Sequence, residues 1–154
     1  MNGLSRSRLK ICVVSSIGGH LDEAVQILPV LEAHDWFFVV NAEGEIPARL
    51  KGRTERIVHS ERDLKLLVNF WEAARILRAR RPDVILSFGA GPAVPFAIVG
   101  KMMGMKIVFV ETFAAVTRPT LTGRILYRLA DLFLYQWESL APIYPRGIYG
   151  GPVF

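Results

Sequence analysis

The sequence predicts an α/β fold of the Rossmann type, a doubly wound parallel sheet in a single domain over residues 1–154. Three observations predict it. Short β-branched and aromatic runs alternate with stretches of helical periodicity along the chain. Hydrophobic residues make up 51% of the composition, which suits a parallel sheet buried on both faces with some apolar surface left for a partner or a bilayer. Two strand-to-helix junctions carry paired or near-paired glycines, and ligands in such sheets bind at the carboxyl ends of the strands.

The elements follow in order. Leu9–Ser15 reads as a first strand, and His20–His34 as a helix with apolar residues at Leu21, Val25, Leu28 and Leu31. Trp36–Asn41 is a second strand and Glu55–His59 a weaker third. Asp63–Arg80 is a long helix stopped by Pro82, because the residue before a proline disfavours the helical region. Val84–Phe88 is a fourth strand. Pro92–Met103 is a helix opened by proline, whose missing N–H is no loss in a first turn. Lys106–Glu111, Thr122–Ala130 and Leu132–Gln136 complete the pattern as strand, helix and strand. The apolar stretch 148–154 has no helix after it.

The bulk properties narrow the class. A chain of 154 residues holds one domain with a proper core. A net charge of +5 points to acidic partners, namely phosphates, nucleic acid or an anionic membrane. The basic residues lack the aromatic interleaving of nucleic-acid surfaces, so nucleic acid is not expected. A lone cysteine, Cys12, excludes a disulfide framework and fits the cytosol. The longest uncharged stretch, 84–100, is broken by glycines and prolines and does not read as a membrane span. Residues 1–8 form a polar, basic tail, unlike a signal peptide.

The first glycine turn is Ser15-Ser16-Ile17-Gly18-Gly19-His20. Adjacent glycines let backbone N–H groups approach a ligand, and the helix N-terminus that follows favours an anion; a plain tight turn is the other reading. No Lys-Ser/Thr pair follows, so it is not a P-loop. The second turn is Ser87-Phe88-Gly89-Ala90-Gly91-Pro92-Ala93-Val94. Gly89 and Gly91 match two positions of the dinucleotide fingerprint, but Val94 occupies the third and the turn lies on a late strand. His20, beside the glycine pair, is either a general base or simply structural. Glu111, a charge closing an apolar strand, either faces the ligand crevice or satisfies loop backbone groups. Arg118, Arg124 and Arg128 either meet a diphosphate or lipid head groups, or form a solvated basic face. Helix 63–80 reads as core with a basic end that complements its dipole, or as a membrane-surface helix. The histidines are scattered and no Asp-x-Asp occurs, so no metal and no cofactor are expected.

Together the motifs Ser15–Glu23, Ser87–Pro95, Phe109–Phe113 and Leu134–Glu138 resemble, in order, the acceptor-side, membrane-recruiting subunit of the eukaryotic N-acetylglucosaminyltransferase of dolichol-linked oligosaccharide synthesis. Bacterial relatives of that subunit serve capsular and exopolysaccharide assembly. The family is similar in turn to the N-terminal half of MurG-type transferases, which have a GT-B fold of two Rossmann-like halves. The resemblance implies an inverting transfer from a UDP-sugar to a polyprenyl-diphosphate-linked saccharide. It places Gly18, Gly19, His20, Gly89 and Gly91 on turns that border the acceptor diphosphate, with Glu111 at the matching strand end; Ser16 and Arg118 are further candidates for that diphosphate, and because inversion needs a base, His20, then Glu111, are the candidate bases. It also implies a donor-binding partner subunit with the UDP-sugar at the interface, and the stretch 148–154 as part of that interface. With only Met1–Lys10 ahead of the first strand, contact with the cytoplasmic membrane face is expected to be peripheral. A scaffold that recruits the catalytic partner, and a stand-alone nucleotide-binding protein, are the rival readings.

Overall fold

The computed structural model describes residues 8–41, 43–59 and 64–154. Most of the basic tail therefore lies outside the described residues, as does Asp63 at the expected start of the long helix. Among the described residues the strands are β1 (Lys10–Ser15), β2 (Asp35–Asn41), β3 (Thr54–Ile57), β4 (Val84–Ser87), β5 (Lys106–Val110), β6 (Leu132–Tyr135) and β7 (Ile148–Tyr149). All pair in parallel, in the order β3-β2-β1-β4-β5-β6-β7. The helices are α1 (Gly19–Gln26), α2 (Leu28–Leu31), α3 (Lys65–Arg80), α4 (Ala93–Met102) and α5 (Leu121–Leu129).

The order of the strands fixes where the crevice of the sheet opens. From β1 the chain winds outward through β2 and β3, then returns to lay β4 on the other side of β1. The winding reverses between β1 and β4, and the crevice of an open α/β sheet opens at such a switch point. Both glycine turns leave the sheet there, one after β1 and one after β4.

Two apolar clusters hold the layers. One joins α3, α4 and α5 to the sheet through Ala73, Ile76, Leu77, Phe96, Ala97 and Leu126. The other joins α1 and α2 to the opposite face through Leu21, Ala24, Val25, Leu28 and Leu31. Phe96 is fully buried, which stabilises the fold by about 1.5–3 kcal/mol relative to an exposed ring. α3 ends where Arg81 turns left-handed at φ 47° ahead of Pro82.

Three features differ from the sequence-based expectation. The helix expected over 20–34 is two helices, because Ile27 leaves the helical region at φ −90°, ψ 3° and Pro29 has no N–H for the preceding turn. The stretch 148–154 contributes a seventh strand at the sheet edge, and Gly150 N–H donates to the Tyr135 carbonyl. The sheet is covered on both faces only in part. Alternate residues of β4, β5 and β6 stay half-buried or exposed on the face that α1 and α2 occupy elsewhere. No helix among the described residues is long and apolar enough to cross a membrane.

Candidate functional site

The site begins with the backbone of the two turns. After β1, Gly18 takes φ +106° and caps α1, its carbonyl accepting from Leu21 and Asp22 N–H. Ile17 N–H donates to Asn41 Oδ1 at 2.7 Å, which ties the turn to the end of β2. After β4, Gly89 takes φ +117° and Ala90 φ 70°. Ser87 Oγ donates to the Val14 carbonyl and accepts from Gly89 N–H, so one hydroxyl locks the second turn to β1.

His20 crosses from the first turn to the second. Its Nδ1 lies 3.0 Å from the Phe88 carbonyl oxygen. A carbonyl only accepts, so Nδ1 carries the proton, and the lone pair of the neutral ring is on Nε2. The ring lies against Gly89, where a methyl group would stand 3.2 Å from His20 Cε1. Gly89→Ala therefore combines an unfavourable φ, about 1–3 kcal/mol, with displacement of the imidazole. Gly18→Ala meets the same backbone strain with nothing within 4 Å. We expect similar melting temperatures for the two variants but, if His20 takes part in the reaction, a turnover roughly tenfold or more lower for Gly89→Ala, since small misplacements of a reacting group are costly. Equal turnover would show that the ring need not rest on Gly89.

Glu111 is fully buried and saturated. Its carboxylate accepts from Thr112 N–H, Thr120 N–H, Thr120 Oγ1 at 2.8 Å and Tyr144 Oη at 2.7 Å. Thr120 Oγ1 in turn accepts from Gly123 N–H and so caps α5. A side chain at Gly123 would collide with the carboxylate. Glu111 thus satisfies loop groups, here those that hold the segment 112–120 and the start of α5, and it also borders a small cavity beside Gly89.

Burial and the bond to Glu111 push the Tyr144 hydroxyl far above the ordinary tyrosine range. An unfolded tyrosine loses its proton near pH ~10 while the folded one keeps it. The folded state then binds more protons, so stability falls as pH rises past ~10, by up to about 1.4 kcal/mol per pH unit. Tyr144→Phe should flatten that decline in alkaline melts, and an unchanged slope would count against it. Cys12, whose buried thiol is also pushed up, keeps its own share.

Glu23 was not singled out by the sequence, yet it anchors the crevice. It is buried and accepts from Thr112 Oγ1 at 2.6 Å, Phe113 N–H at 3.0 Å and Gln136 Nε2 at 2.8 Å. Gln136 also donates to the Glu111 carbonyl and accepts from Val153 N–H. One buried network thus links α1, the end of β5, the end of β6 and the segment after β7. The signal was the acidic pair Asp22-Glu23, of which Asp22 is exposed and Glu23 buried.

Two cavities meet at His20. The larger, about 830 Å3, runs past Gly19, His20 and Glu23 to Thr112, Phe113 and Phe154, with Arg49 on its wall. The smaller, about 150 Å3, lies between Gly89 and the start of α5. Gly19, His20, Gly89 and Glu111 line one or both. Ser16, Gly18 and Gly91 shape the turns but line neither. Arg118 is exposed on the segment after β5 and also lines neither; Arg49, which no spacing marked, is the arginine at the larger cavity.

Residues 56–153 match the family model described as oligosaccharide biosynthesis protein Alg14 like. The chain is 26% identical to the human UDP-N-acetylglucosamine transferase subunit ALG14, over 99% of this chain and 87% of that protein. It is also 26% identical to the UDP-N-acetylglucosamine–N-acetylmuramyl-(pentapeptide) pyrophosphoryl-undecaprenol N-acetylglucosamine transferase of Nitrosospira multiformis, over 93% of this chain and 44% of that one. Among solved structures it resembles MurG of Acinetobacter baumannii, with a TM-score of 0.69 at 17% identity over 83% of this chain. The chain spans 41% of that structure's length.

Proposed function

The chain belongs to the family of Alg14-like oligosaccharide biosynthesis proteins, and from that premise we propose that it is the acceptor-side subunit of a two-chain UDP-sugar glycosyltransferase. The acceptor is a polyprenyl-diphosphate-linked saccharide, and transfer inverts the anomeric configuration. The observation that carries this reading is His20, held by the Phe88 carbonyl with its Nε2 lone pair available where two cavities join. The acceptor hydroxyl gives its proton to Nε2 as its oxygen bonds to the anomeric carbon. The bond from that carbon to UDP breaks, and UDP leaves with the electron pair. The turns at Gly19 and Gly89, each opening a helix, receive the acceptor diphosphate through backbone N–H groups. A second subunit supplies the other wall of the crevice and most contacts to the UDP-sugar.

The test is a pair of titrations of the isolated chain. A short-chain polyprenyl-diphosphate saccharide is expected to bind, and UDP to bind weakly or not at all. Tight UDP binding without acceptor binding would replace this reading with that of a nucleotide-binding protein.

The same reading places the chain at the cytoplasmic membrane face, held peripherally. α3 supports it. Leu64, Leu67, Val68 and Trp71 are exposed at 84%, 66%, 42% and 65%, spaced to share one helix face. Arg75 stacks on Trp71 at 5.7 Å, and Arg78 and Arg81 are exposed farther along. An apolar surface followed by arginines suits an anionic bilayer. Binding to vesicles containing anionic lipid should weaken steeply between 0.05 and 1 M salt, where the Debye length shrinks to roughly 3 Å. Leu67→Glu with Trp71→Glu should abolish it. Equal binding to neutral vesicles would count against the electrostatic part.

A further inference from the structure

One buried amide at the end of β2 holds the first glycine turn. Asn41 closes β2, and its Oδ1 accepts from Ile17 N–H at 2.7 Å, one residue before Gly18. Its Nδ2 lies 2.6 Å from Nδ1 of His59, just past the end of β3. A backbone N–H only donates, so Oδ1 faces Ile17 and Nδ2 faces the imidazole. Nδ2 only donates as well, so His59 Nδ1 is the acceptor and the proton of the neutral ring is on Nε2. The two bonds therefore form a relay of a single polarity, from imidazole to amide to turn.

We propose that Asn41 is a positioning residue for the first glycine turn and that the protonation state of His59 sets it. This rests on the acceptor-side reading above, and adds a control over a turn that receives the diphosphate. When His59 takes a second proton, Nδ1–H meets Nδ2–H, and the amide rotates so that Oδ1 accepts from the imidazolium. The rotation brings Nδ2 against Ile17 N–H. Two donors then face one another, and the bond that fixes the turn is lost. The turn has room to respond. Nothing lies within 4 Å of the space a side chain would enter at Gly18 or Gly19. The Ile17 side chain, by contrast, lies under Gly44, where a methyl group would stand 2.7 Å from its Cγ2. The movement therefore falls on the two glycines, and His20 follows them in the chain.

His59 is half-buried, within reach of solvent protons, and histidine is the side chain whose charge changes between about pH 5 and 8. Among the described residues, the charged groups on the elements around the pair are Arg56 on β3, Glu43 and Glu45 after β2, and Lys65 and Glu72 on α3. Arg56 Nη2 donates to the Gly44 carbonyl at 3.2 Å. The Glu72 carboxylate accepts from Val58 N–H at 3.1 Å and from Asn69, which also donates to the Val58 carbonyl. The carboxylates favour the imidazolium and the two cations oppose it. His20, on the turn itself, is present in every chain compared below, so its own charge cancels.

The test follows the Ile17 amide of the full chain by NMR from about pH 8 to about pH 5.5, the range in which histidines titrate. In the wild type its resonance should move with the same midpoint as the His59 ring resonances. His59→Gln keeps an acceptor for Asn41 Nδ2 but does not titrate, and Asn41→Asp accepts from Ile17 and His59 together. Both variants should hold the Ile17 resonance still across the range, whereas a merely structural role for Asn41 would change melting temperatures and leave this pH response in place. The second measurement is the affinity for a short-chain polyprenyl-diphosphate saccharide. Wild type and His59→Gln should bind it equally at about pH 8, and His59→Gln about two- to tenfold more tightly at about pH 5.5, the worth of one net hydrogen bond. An Ile17 resonance that ignores His59 in the wild type, or that still titrates in His59→Gln, overturns the relay. Equal affinities of the two chains at both pH values overturn its role at the turn. Binding by neither chain at either pH overturns the acceptor-side reading instead, and the Ile17 resonance then decides the relay by itself. Should one variant fail to fold, the other carries the comparison.

Discussion

His20→Ala, assayed with the donor-binding subunit present, should lose turnover by roughly two to four orders of magnitude, the range a positioned general base contributes. The fold should survive. The ring is only half-buried, and loss of its bond to the Phe88 carbonyl leaves an acceptor that neighbouring water can satisfy. His20→Gln sharpens the result. Its amide N–H can still donate to that carbonyl, so it restores the contact between the turns without a basic nitrogen. Low turnover in both variants, with unchanged partner affinity and melting temperature, assigns chemistry to this chain. Near wild-type turnover in His20→Ala would sink the assignment and leave a scaffold that recruits the catalytic subunit.

Glu111→Ala should be the more damaging change to the fold. It strips acceptors from two backbone N–H groups and two hydroxyls in a buried site, at about 3–5 kcal/mol, as when one member of a buried polar set is removed. Glu111→Gln should lose less, because the Thr120 and Tyr144 hydroxyls can turn to accept from the new amide. Urea titration gives the stability, and turnover of Glu111→Gln below its melting temperature separates the two roles first considered for this residue. A positioning carboxylate leaves turnover within about tenfold, whereas loss of a base removes at least about a hundredfold. Loss on that larger scale in a folded Glu111→Gln would return Glu111 to the chemistry.

β1, β2, β4, β5 and β6 were legible because each is rich in β-branched, aromatic or other apolar residues and bounded by turn residues, whereas β3, with Glu55 and Arg56 inside it, gave a weaker signal. Both glycine turns were legible because paired glycines at a strand's end mark backbone that other residues rarely adopt. The break in the first helix was not, since Leu21, Val25, Leu28 and Leu31 keep one apolar spacing across it. β7 was hidden by its brevity, as two residues carry no period. Glu23 was hidden for a different reason. An acidic residue near the start of a helix reads as a solvated charge, and only the fold shows that Thr112 and Gln136 arrive over it from 89 and 113 positions away. The partly uncovered face of β4, β5 and β6 was invisible because an apolar strand reads alike with or without a helix above it.

The central place of β1 also governs the order in which the chain can assemble during synthesis. Its one edge pairs with β2, about 25 residues later, but its other edge waits for β4, where Ile11 meets Val84 and Asp83 receives the Lys10 N–H. Until that segment leaves the ribosome, the nascent chain carries an open strand edge along the apolar run 11–14. Open edges of that kind invite pairing with other chains. A fragment stopped near residue 80 is therefore a poor domain and a good seed for aggregation, and chaperone capture of nascent chains should peak before β4 emerges and decline after it.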